Sequence, residues 1–162
     1  MKKKMMLINP HKPGRHGEES ITVIVQMPLN LAYITALTPG DWEFDVIDEN
    51  IELAMDDKGE ITFKPVDLVC LTSVTYQSPR AYKIAEACKK KGMLVIMGGI
   101  HASVMPEEAA NYVDAVFVGE AEEVWPQVIK DFEAGKLKKV YQGGLPPLSL
   151  MKKVYPNREF LK

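Results

Sequence analysis

The chain has 162 residues, 46% of them hydrophobic and 26% charged, with a formal net charge of -2. This length suits one packed domain, and the near-neutral charge argues against a nucleic-acid-binding surface. No apolar run approaches the roughly 18 residues of a membrane span, and the apolar stretch after the lysines at positions 2–4 is too short for a signal peptide. We therefore expect a cytoplasmic protein without a membrane or nucleic-acid partner.

Five short apolar runs predict the strands of a sheet. They occupy residues 4–8, 44–48, 68–72, 94–97 and 115–118. All but the second are nearly continuous, which is typical of parallel strands buried on both faces. Helical patterns open at Pro28, Ser78 and Pro106 and span residues 122–134, and a short edge strand is expected at 140–141. The alternation predicts a doubly wound, flavodoxin-like (Rossmann-like) α/β sandwich of three layers, with a mainly parallel five-stranded sheet plus the edge strand.

Two stretches depart from this alternation. Residues 49–66 contain a turn at 56–59, followed by a short strand predicted at 61–63. Residues 1–145 are expected to form the domain, and the polar stretch 146–162 is expected to be a linker toward a missing C-terminal domain. Cys70 and Cys88 form no cysteine cluster and are expected to be core thiols.

Ligands of an open parallel sheet bind beyond the carboxyl ends of its strands. The loops to consider are therefore 9–17, 72–78, 98–105 and 119–122. The first strand is not followed by GxGxxG, and GxxxxGK[ST] occurs nowhere, so a nucleotide site has no support. A phosphate-accepting receiver domain would need acids at the first and third strand ends, where this chain has Asn9 and Thr72.

Three segments carry a family resemblance: LTSVT at 71–75, GGIH at 98–101 with PEE at 106–108, and DAVFVGEAE at 114–122. In this order they closely resemble the N-terminal cobalamin (vitamin B12)-binding domain found ahead of radical SAM domains. The resemblance covers about residues 4–145. It implies a corrin over the strand ends, with its dimethylbenzimidazole tail inserted beside the sheet.

The resemblance also implies a set of cofactor-binding residues and no catalytic residue in this chain. The implied set is Asn9, Pro10, His11, Thr72, Ser73, Val74, Thr75, Gly98, Gly99, His101, Gly119 and Glu120. Without Cβ atoms, the two adjacent glycines would let the backbone approach the cofactor closely. Read without the resemblance, the same glycines fit a tight strand-to-helix turn, and His101 fits an exposed loop residue or one that bonds a backbone carbonyl.

An older cobalamin pattern, DxHxxG, can be laid on Asn9, His11 and Gly14. In that family the histidine is the lower axial ligand of cobalt, which makes His11 the candidate metal ligand here. Asn9 replaces the aspartate that would raise the basicity of this histidine. Radical SAM relatives commonly leave cobalt without a protein histidine, so both arrangements stay open.

The resemblance implies a cobalamin-binding module of a longer radical SAM enzyme, of the methyl-transfer or radical-cyclisation class. The partner would be its own C-terminal radical SAM domain, which binds S-adenosylmethionine and a 4Fe-4S cluster. This chain lacks the CxxxCxxC motif that holds such a cluster, so it would not be catalytic alone. The alternatives are a degenerate interaction domain that docks to the radical SAM domain without a corrin, and a flavin or nucleotide protein.

Overall fold

A six-stranded sheet with helices on both faces forms the core of this computed structural model, which describes residues 2–11, 28–144 and 155–157. A short 3-10 helix at Thr75–Gln77 precedes α2. In chain order the strands and α-helices are β1 (Lys3–Asn9), α1 (Leu29–Leu37), β2 (Trp42–Asp48), β3 (Leu68–Thr72), α2 (Ser78–Lys90), β4 (Leu94–Gly98), α3 (Ile100–Val104), α4 (Pro106–Ala109), β5 (Ala115–Val118), α5 (Trp125–Glu133) and β6 (Val140–Gln142).

The strand order in the sheet is β2-β1-β3-β4-β5-β6, and every neighbouring pair is parallel. Strand order reverses between β1 and β3, because the chain leaves β1 for the β2 side and then returns to build the other side. This is the doubly wound order of flavodoxin-like folds, with β6 added at the far edge. The predicted three-layer α/β fold is confirmed, including the edge strand.

Alternate residues of the buried strands pack into two separate hydrophobic cores, one on each face of the sheet. On one face, Val69, Leu71, Val95 and Met97 pack under α2, α3 and α4. On the other face, the intervening strand residues pack under α1 and α5, where Trp125 is buried as part of the core. Because a strand turns successive side chains to opposite faces, one continuous apolar run supplies both layers.

The connection from β2 to β3 differs from the prediction. Residues 61–63 do not form a strand, because only one antiparallel bridge, Met55 to Ile61, is made. The Asp56 carboxylate accepts hydrogen bonds from the backbone N–H groups of Lys58 and Glu60, both at 2.9 Å, and closes the segment on itself. The backbone N–H groups of Lys58 and Glu60 are therefore hydrogen-bonded within the segment. Phe63 still packs against the α2 side of the core.

Helix boundaries match the predictions to within a few residues. Ser78 is the first residue of α2 and not its N-cap, since its hydroxyl donates to the carbonyl of Thr75 in the preceding 3-10 turn. Helix α5 begins at Trp125, three residues after the predicted start. Among the described residues, the longest helix has 13 residues, and none is long and apolar enough to cross a membrane.

The loops after β3 and β4 lie in direct contact. Gly99 has a φ of +93°, and a Cβ there would lie 2.8 Å from Thr72 Oγ1 and 2.9 Å from the backbone N and O of Ser73. The contact is fixed by Ser73 N–H donating to Gly98 O at 3.3 Å and by His101 N–H donating to Ser73 O at 2.9 Å. Only glycine fits at position 99.

We expect Gly99→Ala to lower the free energy of unfolding by more than about 2 kcal/mol, because both the positive φ and the overlap must be accommodated. Gly92→Ala is the matched control: its φ is +79°, but a Cβ there meets nothing within 4 Å. That variant should cost only about 1 kcal/mol. Urea denaturation of both variants measures the difference, and equal losses would contradict the packing role of Gly99.

Both cysteines are buried core thiols, as predicted. Cys70 is 5% exposed on the α1 face, and Cys88 in α2 is fully buried. Burial raises the pKa of both thiols above their ordinary value, and that of Cys88 to about 12. In the unfolded chain the same thiols ionise at their ordinary pKa, so the folded state alone keeps them protonated in alkaline solution.

The raised pKa of Cys88 predicts an alkaline loss of stability. The contribution is complete below the ordinary pKa of 9.0 and is lost as the pH rises toward about 12. Over that window this thiol should remove about 1.4 kcal/mol of unfolding free energy per pH unit. Cys88→Ala, whatever its cavity cost, should show a correspondingly shallower slope in urea titrations from about pH 9 to 11; parallel slopes would refute the assignment.

Candidate functional site

A cleft of about 1000 Å³ opens at the carboxyl edge of the sheet and runs between the sheet and the α1 and α5 layer. Its deeper part is apolar, whereas polar side chains and glycines of the strand-end loops line its mouth. The apolar lining includes Leu31, Ile34, Cys70, Ile96, Phe117 and Trp125. The cleft lies beside the point where strand order reverses, which is where ligands of such sheets bind.

Small side chains at the ends of β3 and β4 leave room for the cleft on one face only. Cys70, Thr72 and Gly98 occupy the α1 face, whereas their large neighbours Leu71 and Met97 fill the opposite core. At Gly98 a Cβ would come no closer than 3.8 Å to a neighbouring atom, the Cβ of Phe117. Backbone geometry therefore tolerates a side chain at Gly98, and its absence exposes the strand backbone to the cleft.

Polar contacts fix the mouth of the cleft on its β1 side. Asn9 donates to the Asp48 carboxylate at 3.0 Å. Buried Gln77 donates to the carbonyl of Pro10 at 2.5 Å and accepts from the backbone N–H of Val74 at 2.9 Å. Gln77 thus joins the loops after β1 and β3, a role that the sequence analysis missed.

Ser103 fixes the β5 side in the same way. Its hydroxyl donates to Gly99 O at 2.9 Å and accepts from the N–H of Gly119 at 3.0 Å. Across the mouth, Asn30 of α1 donates to Thr72 Oγ1 at 2.5 Å. Neither Ser103 nor Asn30 belongs to a recognisable motif, although both lie on loops or helix ends next to the predicted site.

The structure brings most of the predicted site residues together. Eight of them line the cleft: Asn9, Thr72, Ser73, Val74, Gly98, Gly99, Gly119 and Glu120. Pro10, His11, Thr75 and His101 are not among its lining residues. Thr75 is exposed at the start of the 3-10 helix, and Pro10 and His11 are buried next to the β1 end.

His11 lies beside a buried ion pair on the far side of the β1 end. Arg80 contacts the Glu49 carboxylate through two nitrogen atoms, at 2.9 and 2.6 Å, and the Glu49 side chain is fully buried. The backbone N–H of His11 donates to Glu49 at 3.2 Å, and its Nε2 lies 4.0 Å from the same carboxylate. Gly14, the third member of the DxHxxG pattern, lies outside the described residues.

His101 is not the exposed loop residue that the sequence suggested. It lies in the first turn of α3, is 2% exposed, and its Nε2 is 2.6 Å from the Tyr82 hydroxyl. The same hydroxyl lies 3.0 Å from the Glu108 carboxylate, to which it can donate, so Tyr82 links His101 to Glu108. Burial, reinforced by the Glu108 hydrogen bond, raises the pKa of Tyr82. This chain of contacts anchors the α3 turn that carries Gly99.

The charge of the cleft is low and negative. Among its described lining residues only Glu120 and Glu122 are charged, and none is a lysine, arginine or histidine. Glu120 is exposed, whereas the Oε2 atom of Glu122 is buried and has no hydrogen-bond partner among the residues that the structure describes. A ligand that suits this lining has a large apolar part and neutral polar groups.

Three curated methyltransferases are similar to the chain. It is 35% identical over 119 residues to bacteriochlorophyllide d C-8(2)-methyltransferase of Chlorobaculum tepidum, which covers 73% of this chain and 25% of that protein. The C-12(1)-methyltransferase of the same organism is 31% identical over 151 residues, covering 93% and 32%. An uncharacterized methyltransferase of Synechocystis is 26% identical over 110 residues, covering 67% and 20%. The chain spans at most about a third of these relatives.

A model of the B12 binding domain matches residues 25–129. The match includes α1 and runs through β5 into α5, and these are the elements that form most of the cleft. It covers more than half of the chain. The chain belongs to the B12 binding domain family.

Proposed function

We propose that the chain binds cobalamin in the cleft and is the cobalamin-binding module of a longer radical SAM methyltransferase. The observation that carries the proposal is the combination of an apolar cleft beside the sheet with a glycine backbone, at Gly98, forming part of its wall. Pockets for large cofactors are typically apolar with a few oriented polar groups. The cleft of this family member has that composition.

The residues present fit the two chemical parts of cobalamin. The flat benzimidazole of its tail would be held by apolar side chains such as Leu31, Ile96 and Phe117. The amides around the corrin ring would meet hydrogen-bonding groups at the mouth, among them Asn9 and Ser73. When bound, cobalamin supplies the methyl-carrying chemistry, while the chain binds and orients it.

The described lining of the cleft argues against a flavin mononucleotide or another ligand that ends in a free phosphate group. Phosphate groups are recognised by arginine, lysine, or the backbone N–H groups of a helix N-terminus. The described lining residues contain neither of these cations and include two glutamates. Within the part of the cleft that the structure describes, the ends of β3 and β4 therefore offer no positive side chain to a dianionic terminal phosphate. Cobalamin carries only the single charge of its phosphodiester, and its corrin amides are neutral.

Methyl transfer is the parent reaction that we favour over radical cyclisation. Three similar proteins are named methyltransferases, and each is at least about three times as long as the segment matched here. The sequence resemblance to domains that precede radical SAM domains supports a partner domain that binds S-adenosylmethionine and a 4Fe-4S cluster. In this proposal the chain provides the cobalamin and the partner domain provides the cluster.

Exposed apolar side chains around the cleft also favour docking to another domain. Tyr76, Ile100 and Val104 line the cleft yet are 59%, 63% and 60% exposed. Such a rim is typical of a surface that a partner or a large ligand covers. The second candidate, an interaction domain that binds no corrin, uses this rim alone and leaves the apolar depth of the cleft without a role.

A titration with hydroxocobalamin separates these candidates. We expect the wild-type chain to change the visible spectrum of the corrin and to co-elute with it in gel filtration. Gly98→Val should weaken binding by at least about 10-fold while keeping the free energy of unfolding within about 1 kcal/mol, because the added side chain fills the cleft without a backbone clash. If wild-type protein neither changes the spectrum nor co-elutes at high micromolar concentration, the corrin-free alternative is favoured.

His11→Ala tests the axial ligand of cobalt. We expect the spectrum of bound hydroxocobalamin to be the same in this variant as in wild type, because His11 lies against Glu49 and does not line the cleft. Circular dichroism of both proteins checks that the fold is retained. A spectral change confined to the variant would show that His11 moves to ligate cobalt.

A further inference from the structure

Glu122 is an unusual residue in the cleft. It lies in the turn between β5 and α5, at the edge of the apolar depth, and it is half-buried as a whole. Its Oε2 atom is inaccessible to solvent and has no hydrogen-bond partner among the described residues. The nearby indole N–H of Trp125 is already used, because it donates to Thr38 Oγ1 at 2.9 Å.

A buried carboxylate oxygen without a partner is costly. Native proteins pair the large majority of their buried polar atoms, and the exceptions call for an explanation. A carboxylate is the most demanding case, because burial removes its hydration and the loss is offset only by donors or by a cation. No lysine, arginine or histidine is among the described residues lining the cleft. Within the described part of the chain, the Oε2 atom of Glu122 thus has neither a donor nor a cation to offset its burial.

From this we infer that Glu122 is a specificity-determining residue, whose carboxylate accepts a hydrogen bond from a neutral N–H or O–H donor of the ligand. The inference rests on the proposed function and deepens it. Cobalamin carries both kinds of donor: the amides at the rim of the corrin ring and the hydroxyl groups of the ribose in its tail. An anionic group at the same place, including the phosphodiester of the tail, would be repelled, so the residue selects a neutral donor such as a ring amide or a ribose hydroxyl.

The test uses Glu122→Gln, which keeps the shape of the side chain and removes its charge and one acceptor. Exposed Glu123, which does not line the cleft, provides the matched control Glu123→Gln. Affinity is measured by spectral titration with two probes, hydroxocobalamin and a cobinamide, which keeps the ring amides but lacks the nucleotide tail. Losing a charge-assisted hydrogen bond should weaken the binding of hydroxocobalamin about 10-fold or more in Glu122→Gln, and leave Glu123→Gln like wild type.

The two probes distinguish the source of the donor. An equal loss for both corrinoids assigns the donor to a ring amide, and a loss for hydroxocobalamin alone assigns it to the tail. Unchanged affinity of Glu122→Gln for both probes overturns the inference while the proposed function stands. If wild-type protein binds neither probe, the proposed function fails and the inference fails with it.

Thermal unfolding of the ligand-free proteins provides a readout that a structural role would move in the opposite direction. Removing the charge from a carboxylate with one inaccessible, unpaired oxygen atom relieves a desolvation cost, so Glu122→Gln should melt at the same temperature as wild type or above it. A clear fall in melting temperature would show that the carboxylate stabilises the fold, which contradicts the inference. Glu122→Met also lacks the charge and controls for effects specific to the glutamine side chain. It should behave like Glu122→Gln in both the spectral titration and thermal unfolding.

Discussion

The close approach between the loops after β3 and β4 is the constraint on which the site depends. Thr72 and Ser73 lie against Gly99 at distances that leave no space for a Cβ, and two backbone hydrogen bonds hold the contact. This contact sets the direction in which α3 leaves the sheet. Ser103, one turn along α3, can then reach the loop after β5. The absence of a side chain at Gly99 therefore allows the loops after β3, β4 and β5, which line the cleft, to contact one another.

The two adjacent glycines serve different purposes. At Gly99 the missing side chain lets two parts of the protein meet, whereas at Gly98 it leaves the strand backbone open to the cleft. The sequence analysis assigned both to cofactor approach or both to a turn. The turn interpretation fits Gly99, whereas the approach of a cofactor to Gly98 stays a prediction. The two glycines differ because successive residues at a strand end face opposite directions. Two adjacent glycines can thus meet two separate structural requirements.

The local sequence pattern was sufficient to predict the architecture, because continuous apolar runs and the residues that begin and end helices can be recognised over short stretches of sequence. The strands, their parallel arrangement and the loops that bear the site followed from it. Contacts between distant segments could not be predicted in this way. Arg80 pairs with Glu49 across 31 positions, and Gln77 reaches the carbonyl of Pro10 across 67. The pattern at 61–63 suits a strand, but among the described residues this segment makes only the single bridge from Met55 to Ile61, next to a turn that Asp56 closes locally.

His101 shows how such distant contacts change the meaning of a motif. In sequence it follows a glycine pair at the edge of a presumed site, which suggests a ligand contact. In the fold it turns into the core, meets Tyr82 of α2 and is coupled through that hydroxyl to Glu108 of α4. Tyr82 in turn stacks on Tyr112, with ring centroids 3.8 Å apart. The histidine and the PEE segment that follows it thus hold α3 in place, so their bearing on the cleft is indirect.

Several groups of the cleft and its rim lie in environments that the described part of the chain does not satisfy. Glu122 has a buried oxygen atom without a donor among those residues, and Ile100 and Val104 expose most of their apolar surface. A ligand or a partner domain that binds only the folded chain is stabilising in proportion to the logarithm of its concentration over its dissociation constant. Groups that are costly in isolation become favourable contacts on binding. Such features therefore support the proposed binding surface more directly than the strand-end motif does, because the contacts among the described residues do not account for them.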